Sequence, residues 1–135
     1  IFREIFPAHN NPSQEGVLFL VTCWQPISRG NITLNTYTIL DPPRIEPAYY
    51  ENPEDIQCTQ NGIDLLLDIT ESRNFRKLGT KVHTPRINGC LHFRQDYRDQ
   101  DYAECVMRHT ALTGYHPGGT CRMGEDKHAV VNKKL

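Results

Sequence analysis

The residues with the clearest potential for chemistry lie in the stretch GYHPGGTCRMGED, residues 114–126. Pro117 restricts the backbone of His116 to extended angles and fixes its own φ, so the imidazole would be held in one direction. Gly118 and Gly119 lack a Cβ, so a flat or bulky group can approach their backbone closely. A fixed imidazole beside a bare backbone suits a general base acting on a large ligand. The alternative is a structural turn in which the histidine caps the preceding helix.

The same stretch has the spacing of a phosphate-binding loop but not its chemistry. Thr120 rather than a lysine follows Gly119, and a predicted helix rather than a strand precedes Gly114. The sequence also contains no G-x-G-x-x-G, so this chain carries no dinucleotide-binding fingerprint of its own.

Cysteine and histidine spacing allows two further interpretations. Cys90 with His92, and Cys105 with His109 one helical turn apart, could give zinc four ligands. Alternatively, Cys90 and Cys105 could form a disulfide that closes a loop of about fifteen residues and stabilises the fold by roughly 3 kcal/mol. His109 would then face the core. The residues alone leave both possibilities open, and they assign no partner to the remaining cysteines at positions 23, 58 and 121.

Two helices are expected to frame these residues. The first lies within residues 51–72, where Asn52 is a suitable N-cap, Pro53 suits the first helical position, and Glu54 and Asp55 complement the positive helix end. Gly62 weakens its middle by about 1 kcal/mol relative to alanine. Its predicted apolar stripe consists of Ile56, Ile63, Leu66, Leu67 and Thr70.

The second helix is predicted over residues 99–114. Asp101 and Glu104 form a candidate capping box, and Gly114 is a suitable stop. A shorter helix is expected between them, within residues 74–82 and ending at Gly79. The predicted core face of the second helix contains Tyr102, Cys105, Val106, His109, Leu112 and Thr113.

Strands are predicted earlier in the chain. Residues 17–22 are rich in β-branched and aromatic side chains, residues 31–39 begin with an alternating pattern, and the turn between them suits antiparallel neighbours. The prolines of residues 41–47 exclude a helix or a central strand there, so an extended crossing segment is expected. Residues 7–16 have the composition of a loop.

Composition limits the class of protein. The 135 residues match one domain in size, and the net charge of −1, without a basic cluster, argues against nucleic-acid binding. The longest apolar run, residues 17–24, falls short of the ~20 residues that a membrane span needs. No signal-peptide pattern is visible and the chain opens on isoleucine, so a piece of a longer protein is expected.

Two long motifs carry a family resemblance. YHPGGTCRMG resembles the Tyr-His-Pro-Val-Gly-Thr-Cys-Lys/Arg-Met-Gly signature of the glucose–methanol–choline (GMC) oxidoreductases. SRGNITLNTYTILDPPRIEPAYYENPEDI resembles that family's Ser-Arg-Gly, strand, Asp-Pro-Pro and Asn-Pro-x-Asp-helix order. The resemblance extends over roughly residues 17–132.

The resemblance implies an α+β fold, with an antiparallel sheet backed by helices, that is incomplete as it stands. Residues 1–16 would be a connector, residues 17–113 a segment of the substrate-binding domain, and residues 114–135 the histidine turn with the return toward an FAD domain. The implied partners are a small-molecule alcohol and the remainder of a flavoenzyme chain.

The resemblance also implies the reaction, which is oxidation of an alcohol, sugar or sterol to the carbonyl compound. His116 would accept the hydroxyl proton while hydride passes to FAD, and no metal is involved. Tyr115, Pro117, Gly118 and Gly119 would lie near the flavin. Gly118 departs from the family pattern, which usually has valine there, and the extra glycine should loosen the turn.

The spacing NGC…YAEC resembles the insect-type members of the family. That likeness implies a Cys90–Cys105 disulfide and a secreted protein. The rival hypothesis is a non-catalytic binding or structural module, or a truncated relic of such an enzyme.

Overall fold

The computed structural model describes Ile5 and residues 15–135. Two compact units are present: the first contains the described residues up to Ser28 together with Tyr50–Ala111, and the second contains Arg29–Tyr49 and Leu112–Leu135. Residues 15–135 form an α+β arrangement of two strands and three α-helices, in agreement with the expected class. In chain order these are β1 Asn31–Thr33, β2 Arg44–Glu46, α1 Pro53–Thr70, α2 Arg73–Lys77 and α3 Gln100–Thr110.

Helix α1 begins as the sequence predicts. The Asn52 side chain accepts a hydrogen bond from the Glu54 N–H at 2.9 Å, and Pro53 occupies the first turn. The buried face differs from the predicted stripe, because Leu67 is the only stripe residue that is fully buried while the others are half-buried. Three polar residues share the buried face with it: Asp55, Thr59 and Gln60.

Residues 17–22 do not form the predicted strand. They have no regular structure, and no pairing with residues 31–39 is present in the described part of the chain. This segment instead runs beside α1, where a Cβ at Gly62 would lie 2.5 Å from Cγ1 of Val21. A disulfide joins Cys23 to Cys58 of the same helix. Attachment to α1 therefore replaces the expected strand pairing.

Strand β1 pairs with β2 rather than with residues 17–22. The ladder is antiparallel and matches Asn31 with Glu46, Ile32 with Ile45, and Thr33 with Arg44. The segment expected to cross without pairing thus supplies β2, at the edge of a two-stranded sheet.

Strand β1 is also shorter than the predicted strand over residues 31–39. The Thr36 hydroxyl donates to Asp41 Oδ2 at 2.6 Å and accepts the Thr38 N–H at 3.2 Å. Such local side-chain bonds favour a turn over continued pairing.

Helix α3 begins two residues earlier than the predicted capping box implies. Asp99 is the N-cap, and its side chain accepts the Tyr102 N–H at 3.1 Å. The predicted pair of Asp101 and Glu104 is therefore wrong, and Glu104 instead forms an ion pair with Arg108 at 2.8 Å. The helix ends at Thr110 because Ala111 adopts extended angles, four residues before the expected stop at Gly114.

The predicted core face of α3 is correct in its first half only. Tyr102, Cys105 and Val106 are buried and pack with Ile87 and Cys90, with Phe93 and Tyr97 against them. The Tyr102 hydroxyl donates to the Pro85 carbonyl at 2.7 Å. His109, Leu112 and Thr113, which were expected in the core, are exposed.

The short helix predicted after α1 is present as α2, and Gly79 beyond it has a φ of 69°. The predicted loop over residues 7–16 lies almost wholly outside the described residues. Within the described chain, none of the helices combines the length and the apolar composition needed to cross a membrane.

Candidate active site

The histidine turn belongs to the second unit. Residues 111–120 have no helix or strand and are exposed throughout, so Tyr115, His116, Pro117, Gly118 and Gly119 all present themselves at the surface of that unit. His116 follows the end of α3 by six residues, and its alternative role as a cap of that helix stays a hypothesis. The residue as a whole is exposed to solvent.

Tyr115 has an unusual backbone. Its φ is 61°, in the left-handed region, which costs a bulky residue of order 1–3 kcal/mol. The Thr113 hydroxyl accepts the Tyr115 N–H at 3.0 Å and helps to hold this conformation. Strained residues concentrate at ligand sites and switch regions, so the position immediately before His116 is where function would be expected.

Beyond His116 the main chain is bare on one side. Among the described residues, and apart from the adjoining residues in the chain, no heavy atom lies within 4 Å of the point where a Cβ would stand at Gly118 or at Gly119. Gly119 has a φ of 99°, which disfavours any other residue, whereas Gly118 shows no such restriction. The turn therefore offers open backbone in the residues that follow His116, and a larger side chain at position 118 would fit.

The loop that follows the turn is internally bonded. Gly124 N–H donates to the Val131 carbonyl and Val130 N–H to the Arg122 carbonyl, both at 3.0 Å. Arg122 forms an ion pair with Asp126. The guanidinium, together with the His128 N–H, lowers the pKa of the Asp126 carboxyl below its usual range. These bonds hold the residues that follow the histidine turn in a defined conformation.

Cys105 of α3 is joined to Cys90, the last residue of a 3₁₀ turn over Asn88–Cys90, as the insect-type resemblance implies. Cys90 and Cys105 form a disulfide with a Cα–Cα distance of 5.8 Å. Nδ1 of His109 lies 3.7 Å from both sulfurs and donates to the Cys105 carbonyl at 2.8 Å. His92 instead packs against Phe93, with ring centroids 4.0 Å apart. The zinc alternative is therefore wrong, because the disulfide uses both thiolates that a zinc ion would need.

Sequence reasoning missed two features around α1. The first is the Cys23–Cys58 disulfide, whose 35-residue separation gives no local signal. The second is Asp55, which is buried and accepts hydrogen bonds from the main chain before β1. An acidic residue in the first turn of a helix ordinarily interacts with the helix dipole. The sequence therefore contains no sign that Asp55 accepts these long-range hydrogen bonds.

Comparison with known proteins identifies the family. Residues 26–135 match the family model described as GMC oxidoreductase. That match covers most of the chain and includes both motifs and the histidine turn. The chain belongs to the GMC oxidoreductase family.

Several curated relatives match nearly all of the chain. It is 38% identical to the Neither inactivation nor afterpotential protein G of Drosophila melanogaster, over 99% of this chain and 24% of the relative. It is 30% identical to a glucose dehydrogenase (FAD, quinone) of Drosophila pseudoobscura pseudoobscura, over 98% of this chain and 19% of the relative. An ecdysone oxidase of Spodoptera littoralis is 26% identical over 93% of this chain and 20% of its own length.

The chain thus spans about a fifth to a quarter of the length of these relatives. No solved structure matches it significantly.

Proposed function

We propose that this chain is the C-terminal part of an FAD-dependent oxidoreductase that converts an alcohol, sugar or sterol to the corresponding carbonyl compound. The observation that carries the proposal is the exposed His116 turn, with a strained tyrosine before the histidine and open glycine backbone after it. Family membership supports the oxidoreductase class. Two of the relatives are named as a glucose dehydrogenase and an ecdysone oxidase, which supports a sugar, alcohol or sterol as the substrate.

In this proposal His116 is the general base. Its ring accepts the proton of the substrate hydroxyl as the carbon–hydrogen bond is broken. Bound FAD would supply the acceptor for the hydride. Pro117 restricts the backbone of His116 to extended angles, and the positive φ of Tyr115 turns the chain just before it.

The turn fits a flat ring system. In the part of the chain that the structure describes, no side chain obstructs the backbone of Gly118 and Gly119 to 4 Å on the Cβ side, so a planar group could contact the main chain there. The exposed ring of Tyr115 would lie next to the same surface. Open backbone in the two residues that follow Pro117 supports the proposed contact with a flavin.

We further propose that residues 17–113 are a segment of the substrate-binding domain, in which an antiparallel sheet is backed by helices. Residues 1–16 would be a connector, and residues 114–135 would carry the histidine turn back toward an FAD domain. The remainder of the flavoenzyme and the alcohol are the proposed partners. Two disulfides favour secretion, because such bonds persist in oxidising compartments.

The direct test is to purify the full-length protein and record its visible spectrum, then measure reduction of an artificial electron acceptor with glucose, a primary alcohol and a sterol. The proposal predicts the absorption bands of oxidised flavin and bleaching by at least one of these substrates. A colourless protein that reduces no acceptor would favour the rival view, a non-catalytic module.

A further inference from the structure

Strand β1 consists of the tripeptide Asn31-Ile32-Thr33. Asn-x-Thr with a middle residue other than proline is the acceptor sequence for N-linked glycosylation. The chain contains no other Asn-x-Ser/Thr of this kind, since Asn11 and Ser13 enclose Pro12. Neither the family match nor the proposed reaction assigns a role to this tripeptide.

The ladder between β1 and β2 puts the acceptor on a polar face. Residues directly opposite each other in an antiparallel pair share one face, so Asn31 lies beside Glu46 and Thr33 beside Arg44. Arg44 and Glu46 form an ion pair at 2.7 Å on that face. All three residues of β1 are exposed.

The opposite face is apolar. There Ile32 pairs with Ile45. If a larger protein covers one face of this ladder, hydrophobic burial selects the isoleucine face and leaves the face of Asn31 in water. An acceptor asparagine must be reachable from solvent, and this register provides that.

The two disulfides indicate the cellular compartment in which the protein folds. Cys23–Cys58 and Cys90–Cys105 require an oxidising environment such as the lumen of the secretory pathway. N-linked glycans are attached in the same lumen. The chain therefore combines an exposed acceptor with the surroundings in which the modification takes place.

We propose that Asn31 is an N-glycosylation site on the solvent face of the β1–β2 ladder. The Asn31 side-chain nitrogen forms a bond to the anomeric carbon of an oligosaccharide carried on a lipid pyrophosphate. The bond from that carbon to the pyrophosphate breaks, the lipid pyrophosphate leaves, and the amide gives up one proton. The glycan marks the ladder's polar face as an outer surface of the folded protein.

The test uses the full-length protein, secreted from insect cells under its own N-terminal sequence. Glycopeptides are released by protease and treated with peptide N-glycosidase in heavy-oxygen water, which converts a glycosylated asparagine to labelled aspartate. The expected result is the label at Asn31 in most molecules. An unmodified Asn31 peptide as the dominant species in the secreted protein would overturn the proposal.

A matched pair of variants separates recognition of the acceptor from an effect on folding. Thr33→Ser keeps the acceptor sequence and should keep the glycan, whereas Thr33→Ala should lose it completely. Asn35→Gln is the control, since Tyr37 stands where an acceptor needs Ser or Thr, and it should leave the glycan unchanged. Equal glycan content in the Ser and Ala variants would contradict the assignment, whatever the flavin content or turnover of the protein.

Discussion

The carboxylate of Asp55 accepts the backbone N–H of Ser28 at 2.8 Å, across 27 residues of sequence. Its second oxygen accepts the Ile27 N–H at 2.7 Å, and the Ser28 hydroxyl accepts the Asn52 N–H at 2.9 Å. Asp55 is 4% exposed. A buried carboxylate at the start of α1 thus fixes the main chain that leads into β1.

Removing this carboxylate should release the main chain at residues 27–28. In Asp55→Ala the two amides lose a charged acceptor worth about 1.5–3 kcal/mol, so we expect their hydrogen exchange to accelerate by about tenfold to a hundredfold. Exchange mass spectrometry of the peptide containing these residues measures the effect. Asp68→Ala on the same helix removes an exposed partner of Arg98 and should leave that peptide unchanged. Equal acceleration in both variants would contradict the role of Asp55.

The sequence identified α1 and its cap correctly because both depend on neighbouring residues. Asn52 and Pro53 act within one turn, and their types are sufficient to place the helix start. The predicted start of α3 was wrong although it rested on the same kind of local signal, because Asp99 and Asp101 are equally suited to capping. Only the observed bond from Tyr102 N–H distinguishes them.

The other wrong predictions failed because contacts between residues distant in sequence determine the structure there. Residues 17–22 have strand composition, but the attachment of Val21 and Cys23 to α1 depends on contacts with Gly62 and Cys58. No local pattern encodes such contacts. In the candidate site the motif located His116, whereas the positive φ of Tyr115 could not be read from its residue type.

Replacing Gly62 by alanine should lower the stability of the protein, contrary to the usual preference for alanine in helices. Replacing a mid-helix glycine by alanine ordinarily stabilises by about 1 kcal/mol. Here the new Cβ would lie 2.5 Å from Cγ1 of the stiff Val21 side chain, so we expect Gly62→Ala to destabilise by about 1–2 kcal/mol.

A double-mutant cycle in urea tests this contact. In the Val21→Ala background the clash is absent, and Gly62→Ala should recover its ordinary stabilising effect. If Gly62→Ala has the same effect in both backgrounds, Val21 does not contact the helix at this point.

Stability at high pH should depend on Tyr97. Burial, and then the neighbouring Tyr102 phenol, raises the pKa of Tyr97 to about 12 from the ordinary 10.0. The folded state therefore holds this proton more tightly than the unfolded state. The protonated Tyr97 phenol contributes fully to folding stability below pH 10. The free energy of unfolding falls by about 2 kcal/mol as the pH rises from 10 toward 12.

Unfolding in urea between pH 9 and 12 measures this dependence. Tyr97→Phe should flatten the decline, with a smaller slope remaining from Tyr102, whose pKa burial also raises. Tyr115→Phe alters an exposed ring and should keep the full slope. An unchanged slope in Tyr97→Phe would show that this phenol does not control the titration.

We propose His116 as the catalytic base, and the turnover of a His116→Ala variant tests this role. A general base typically contributes about 10²–10⁴-fold, so kcat of the full-length flavoprotein should fall by that factor while its flavin content and Tm stay unchanged. His109→Ala is the control, because its exposed ring lies against the Cys90–Cys105 disulfide, and it should keep normal turnover. Near-normal kcat in His116→Ala would show that His116 is not the catalytic base.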